Sequence, residues 1–153
     1  MAIRRFQSTD LPAIIALFRS TVHTINAKDY TPEELLAWAP QDLDETAWAQ
    51  SLTKNYTIVA EHNGIIVGFG DLTDTGIINR LYVHKDYQSQ TFGYRILEHL
   101  IAQAHRSGIT EITAAVSITA LPFALKCGAE ILQEQSVVRH GIPLTNFLVR
   151  KKL

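Results

Sequence analysis

Hydrophobic positions along this chain change period twice, and each change marks a different kind of element. Ile14, Ile15, Leu17, Phe18 and Val22 recur near helical spacing behind Ser8-Thr9-Asp10-Leu11-Pro12, a run with N-cap chemistry and an early proline. The spacing predicts a first strand at residues 2 to 6 and a helix to about His23. Thr31-Pro32-Glu33-Glu34 is a second cap leading into Leu35, Leu36 and Trp38, and a third short helix is expected from Asp44 to Leu52. From Tyr56 the pattern becomes β-branched and apolar. Tyr56 to Glu61 and Ile65 to Leu72 read as strands joined by His62-Asn63-Gly64, where Asn-Gly favours a tight hairpin, and Gly76 to Val83 follows as a third strand.

Helical period returns at Phe92 to Arg106, with Ile96, Leu97, Leu100, Ile101 and Ala104 on one face and Ser107-Gly108 closing it. Glu111 to Val116 is a further strand and Ala120 to Lys126 a short helix stopped by Gly128. Strands at Glu130 to Arg139 and Thr145 to Lys151 flank an expected turn, His140-Gly141-Ile142-Pro143. The predicted fold class is α/β of the α+β type, a mixed sandwich of helices and strands.

Composition narrows the reading. The 153 residues, 46% hydrophobic, suffice for one well-buried core, so a single domain over 1–153 is expected. A net charge of −1 and a pI of about 6.6, with scattered Lys and Arg, argue against a nucleic-acid partner. Neither a signal-peptide run nor an apolar stretch of membrane-spanning length stands out, so no membrane partner and a cytoplasmic location are expected. One cysteine, Cys127, allows no internal disulfide and no thiol-clustered zinc site, and no metal site is expected.

The most informative stretch is Leu81-Tyr82-Val83-His84-Lys85-Asp86-Tyr87-Gln88-Ser89-Gln90-Thr91-Phe92-Gly93-Tyr94-Arg95, an apolar strand, a polar turn and the first turn of an amphipathic helix. The first N–H groups of such a helix lack intrahelical partners and its dipole favours negative charge, which suits a phosphate or pyrophosphate. The loop has neither the Lys-Ser/Thr of a P-loop nor the spaced glycines of a dinucleotide fold.

This stretch resembles the acetyl-CoA signature of the GNAT N-acetyltransferase superfamily, which shows Gln or Arg, two residues, Gly, one residue, then Gly or Ala. Gln88 and Gly93 match its ends, Thr91 stands in place of the middle glycine, and Ser89 where a further glycine is common. The order of elements on both sides is similar too. Tyr30 to Leu35, Ala37 to Ala39 and Ser117 to Ala120 resemble a small bacterial subgroup labelled YafP-like. The resemblance implies a GNAT-like fold with a mostly antiparallel sheet of about six to seven strands. It also implies acetyl-CoA as co-substrate, with Leu81, Tyr82 and Val83 pairing the pantetheine arm through their backbone. Gln88, Ser89, Gln90, Thr91, Phe92, Gly93 and Tyr94 would then form the pyrophosphate loop.

The same resemblance leaves proton handling open. A family tyrosine proposed as general acid corresponds to Ala124; Cys127, three residues on, could approach the leaving sulfur, or is a buried small hydrophobe. Asn79 stands where some relatives carry an acidic residue. As bases, Asp71, Glu61, His23 and His84 compete with a water chain, Asp71 being the first choice.

The acceptor site implied by the fold lies where the first helices meet the last strands, which brings in His23, Tyr30 and Trp38. Asp29, Glu33, Glu34, Asp42, Asp44 and Glu45 make that region an acidic, aromatic lip for a cationic amine, or else a solvated helix face with core tryptophans. The expected function is direct acetyl transfer in a ternary complex to a small-molecule or peptide primary amine. A non-catalytic acyl-CoA-binding sensor or interaction module is the alternative. Association of the C-terminal strands into a homodimer stays open.

Overall fold

A computed structural model describes residues 2–153. Four strands, β1 (Ala2–Arg5), β2 (Tyr56–His62), β3 (Ile65–Leu72) and β4 (Ile78–Val83), form one antiparallel sheet in the order β1-β2-β3-β4. Three more, β5 (Glu111–Ser117), β6 (Glu130–Arg139) and β7 (Ile142–Lys152), form a second in the order β5-β7-β6. The helices are α1 (Leu11–Thr24), α2 (Pro32–Trp38), α3 (Glu45–Lys54), α4 (Phe92–Arg106) and α5 (Leu121–Lys126).

Two apolar clusters cover opposite faces of the sheets. Ile14, Leu17, Phe18 and Val22 of α1 pack with Tyr30, Leu35, Leu52, Val59, Phe69 and Leu144 on one face. On the other, Ile96, Leu97, Leu100 and Ala104 of α4 pack on Ile58, Ala60, Val67, Leu72 and Ile112. Each fully buried aliphatic side chain contributes about 1.5–3 kcal/mol. β3 lets α4 come close because Gly68 and Gly70 present no side chains there. A Cβ on Gly68 would lie 2.7 Å from Ile96 Cδ1, and one on Gly70 would lie 3.0 Å from Ile96 Cγ2 and 3.1 Å from Leu100 Cδ1.

Among the described residues the two sheets are joined by a single bridge. Ile77 and Thr113 form a parallel bridge, and Thr113 N–H donates to the Gly76 carbonyl at 3.0 Å. Gly76, with φ +92°, fits this joint because a Cβ would sit 2.9 Å from the Glu111 carbonyl oxygen. That turn geometry delays the third expected strand, which begins at Ile78 rather than Gly76. Beyond the bridge β4 pairs only with β3 and β5 only with β7, so the facing edges diverge.

The expected four-residue turn at 140–143 is shorter in the structure. His140 and Gly141, with φ of 49° and 78°, make a two-residue hairpin, and β7 starts at Ile142. Pro143 is tolerated inside β7 because β5 pairing begins only at Asn146, leaving that end one-sided. Among the described residues, no helix is long and apolar enough to cross a membrane.

Candidate active site

Divergence of β4 from β5 opens a cavity of about 310 Å³ that passes through the sheet. On the α4 face its walls are Leu81, Leu97, Ile112, Phe123, Ala124 and Cys127; on the α1/α2 face they are Tyr30, Trp38, Tyr82, Val137, Arg139 and Leu144. Two ligands can therefore approach one point from opposite sides. Backbone N–H and C=O groups along both strand edges have no strand partner inside the gap, which suits an extended, amide-bearing ligand arm.

β4 carries a bulge at the gap. Leu72 pairs Ile78 while Asp71 pairs Arg80, so Asn79 is the extra residue, and it lines the cavity. A bulge re-aims backbone N–H groups, and such groups set against a carbonyl in a dry cavity stabilise developing negative charge by about 3–4 kcal/mol each.

At the upper end of β4 the loop Gln88 to Thr91 leads into α4. Gln88 Nε2 donates to the Val83 carbonyl at 2.7 Å, and Thr21 Oγ1 donates to the same oxygen at 3.0 Å, so the strand end is pinned. Ser89 (φ 60°) and Thr91 (φ 68°) occupy the left-handed region, turning the chain into the helix. Thr91 is the N-cap, but its side chain makes no capping bond and no acid stands in the first turn, which leaves the helix N–H groups and dipole open to an anion.

Phe92 is buried under the loop against the His62 and Tyr87 rings, at 5.5 and 5.9 Å between centroids, and so anchors it. Ser89, Gln90 and Tyr94 are exposed. Gly93 packs beneath Phe123 of α5, where a Cβ would make only ordinary contacts of 3.5–3.7 Å.

The catalytic and acceptor candidates are dispersed. Asp71 does not line the cavity: it is 0% exposed, with Oδ2 accepting from Arg80 Nη1 at 2.6 Å and Asn55 Nδ2 at 3.0 Å, and Oδ1 without a partner. Burial pushes its carboxyl above the usual range, opposed by Arg80 and Asn55. Arg80 does line the cavity, stacks 4.5 Å over the Trp48 ring and donates to Ser51 Oγ, so Asp71 reaches the site only through Arg80. His23 lies off the cavity too, with Nε2 2.8 Å from the Ala39 carbonyl.

Tyr30 and Trp38 do meet at the cavity wall, with rings 5.3 Å apart and edge-on. The Tyr30 hydroxyl donates to the Thr145 carbonyl at 2.6 Å and accepts from Ile118 N–H at 3.0 Å; burial pushes its pKa up, so it is a neutral tie between the first helices and the second sheet. Cys127 and Ala124 both line the cavity. Cys127 follows the end of α5, and burial raises its thiol pKa against the opposing pull of Lys151.

The region matches the second alternative, a largely solvated helix face with Trp38 and Trp48 packed on the core, rather than an acidic lip. None of its six carboxylates lines the cavity. Glu34 forms a capping box with Thr31, Asp44 caps α3, and Asp29 accepts from Thr119 Oγ1 at 2.7 Å. Sequence reasoning missed Arg80, Arg139 and Asn146, all cavity-lining. Strand alternation was the available signal for Arg139, which shares a face of β6 with Val137.

The site is thus a sheet opened by one-sided strands beside a helix N-terminus without a side-chain cap. Residues 26–151 match the model of the acetyltransferase (GNAT) domain. The chain belongs to the GNAT acetyltransferase family. As a member it is an acetyltransferase, with acetyl-CoA as co-substrate. It is 31% identical over 150 residues to the uncharacterized N-acetyltransferase YafP of Escherichia coli, covering 98% of this chain and 95% of that one. A GCN5-related N-acetyltransferase from Rhodopseudomonas palustris superposes with a TM-score of 0.96 at 31% identity, over 99% of this chain and 95% of the other. The PaiA N-acetyltransferase of Thermoplasma acidophilum, solved in complex with coenzyme A, shares the fold at a TM-score of 0.83 and 18% identity, over 99% and 98% of the two chains.

Proposed function

We propose that this enzyme moves the acetyl group of acetyl-CoA onto a primary amine by direct attack within a ternary complex. The cavity reached from both faces of the sheet carries this reading, because it lets thioester and amine meet without a covalent enzyme intermediate. In this reading the pyrophosphate rests on the Gln88–Gly93 loop and the N-terminus of α4, and the pantetheine amides pair with free backbone groups of β5 and of Leu81 to Val83, the Val83 carbonyl being already taken by Gln88 and Thr21. The amine enters past Tyr30 and Trp38 from the α1/α2 face. A cytoplasmic setting belongs to the same reading.

In the transfer step the amine lone pair forms the C–N bond at the thioester carbonyl carbon, the C–S bond breaks, and the N–H groups at the β4 bulge hold the negative oxygen between the two events. Among the described residues no Asp, Glu or His lines the cavity, so the amine proton leaves through water rather than to a first-contact base. The thiolate recovers a proton from water or from the Cys127 thiol, which burial keeps protonated through neutral pH.

Isothermal titration of acetyl-CoA into the wild-type protein and a Gly93→Glu variant tests the cofactor half. A Cβ at Gly93 meets only ordinary contacts and a carboxylate in the first turn complements the helix dipole, so the variant is expected to fold, checked by an unchanged thermal midpoint, while the pyrophosphate is repelled. Micromolar binding that the variant loses is the expected result; no binding up to millimolar overturns the proposal. Release of CoA on adding amines then separates catalysis from binding alone, which would point to the sensor alternative.

A further inference from the structure

We propose that the acceptor is an amine that also carries a carboxylate, an amino acid or short peptide, and that Arg139 is the residue that binds that carboxylate. The inference rests on the N-acetyltransferase reading and names the substrate class for the same site.

Charge around the cavity is one-sided. Arg80, Arg139 and Lys151 are its basic residues, and no Asp, Glu or His faces them across it. Two of the three cations are already engaged: Arg80 by Asp71 at 2.6 Å, and Lys151 by the Cys127 carbonyl at 2.7 Å. Arg139 is not. Among the described residues its guanidinium makes one hydrogen bond, a 3.4 Å contact from Nη1 to the neighbouring Val138 carbonyl, and has no carboxylate within ion-pair distance.

Position adds to charge. Arg139 lies on the α1/α2 side of the gap, in register with Ile142 next to the two-residue turn, on the same β6 face as Val137, which packs against the cluster holding Tyr30 and Leu144. That is the entrance assigned to the amine, opposite the α4 face assigned to CoA. A plain alkylammonium would meet like charge there with no carboxylate to answer it, whereas an amino acid brings its own counter-charge. A guanidinium offers two parallel N–H donors to a carboxylate, a pairing stronger and more directional than a lysine would give. The adjoining walls, Trp38, Tyr30, Val137 and Leu144, favour an apolar side chain on the acceptor.

Acceptor pairs differing only in the carboxylate decide the matter: leucine and phenylalanine against their amides, and leucylglycine against its amide, each assayed with acetyl-CoA by CoA release. Wild-type protein is expected to show kcat/KM at least tenfold higher for the acids. In Arg139→Gln that preference should fall to near one, through KM rather than kcat, with acetyl-CoA affinity followed by titration. Equal or better use of the amides, or a preference that survives in Arg139→Gln, overturns the inference and leaves the N-acetyltransferase reading intact. Acetyl-CoA binding without transfer to any amine, spermidine included, overturns both. An Arg139-dependent preference for succinyl-CoA over acetyl-CoA would put the carboxylate on the acyl donor instead, and also overturns it.

Discussion

Thr91 sits at φ 68° and ψ 0°, a left-handed conformation that a β-branched side chain adopts only under strain, commonly about 1–3 kcal/mol. The strain falls on the residue that opens α4, where the loop must turn sharply to free the helix N–H groups for phosphate. Glycine would adopt the same angles freely, at an unfolded-state entropy cost of about 0.5–1 kcal/mol. Thr91→Gly should therefore stabilise the protein by about 1 kcal/mol, seen as a higher urea midpoint at unchanged slope, and should tighten acetyl-CoA by removing a side chain from the phosphate path. A less stable variant would mean that the Thr91 side chain holds the loop together. Asp71 shows the opposite case, a residue whose chemistry suggested a role that its surroundings redirect. Sealed behind Arg80, it sets that guanidinium against Trp48 and Ser51, and its effect on substrate passes through Arg80.

Packing between α4 and β3 decides where the phosphate-binding helix end stands relative to the gap. Gly68 and Ile96 are the tightest point, so Gly68→Ala should drive Ile96 Cδ1 aside and cost about 1–3 kcal/mol. Ile96→Val removes that carbon and alone costs about 0.5–1.5 kcal/mol through a small void. Combined, the two changes should be less destabilising than their sum, with a favourable coupling on the order of 1 kcal/mol in a double-mutant cycle read by urea unfolding. Additive losses would show that α4 shifts bodily instead. Most elements here were legible because their signals are local. α4 follows from a 3.6-residue period over Phe92–Arg106, and β3 from its apolar, β-branched content over Ile65–Leu72. The turn is shorter than the expected His140-Gly141-Ile142-Pro143, and only the stagger of β5 on β7 explains why Pro143 is tolerated inside a strand. Thr31-Pro32-Glu33-Glu34 is legible as a cap, whereas the capping bond of Asp44 is not, since a cap and a solvated acid look alike at a helix start.

The gap itself belongs to no element; it exists because, among the described residues, the two sheets pair at Ile77 and Thr113 and not beyond. Sequence could suggest it only through family likeness, since strand pairing is set by long-range register. The loop at Gln88 to Gly93 was legible as a contiguous motif, while Arg80, Arg139 and Asn146 come from three different strands and meet only in the fold. The same geometry bears on Cys127, a thiol inside the cavity and thus placed either to help the transfer or to intercept it. Its pKa is raised by burial, so the thiolate that an acyl-enzyme route requires is scarce at neutral pH. A leaving thiol with a pKa near the roughly 8.5 of free cysteine also needs little acid help. Cys127→Ala should therefore lower kcat by less than about tenfold, well short of the about 10²–10⁴ that loss of a required proton donor brings. Initial-velocity plots against acetyl-CoA at several amine concentrations should intersect in both proteins, as sequential binding through the two faces demands. Parallel lines in the wild type, together with an acetylated protein detected by intact mass and absent from the variant, would show that the cavity works by ping-pong transfer through sulfur instead.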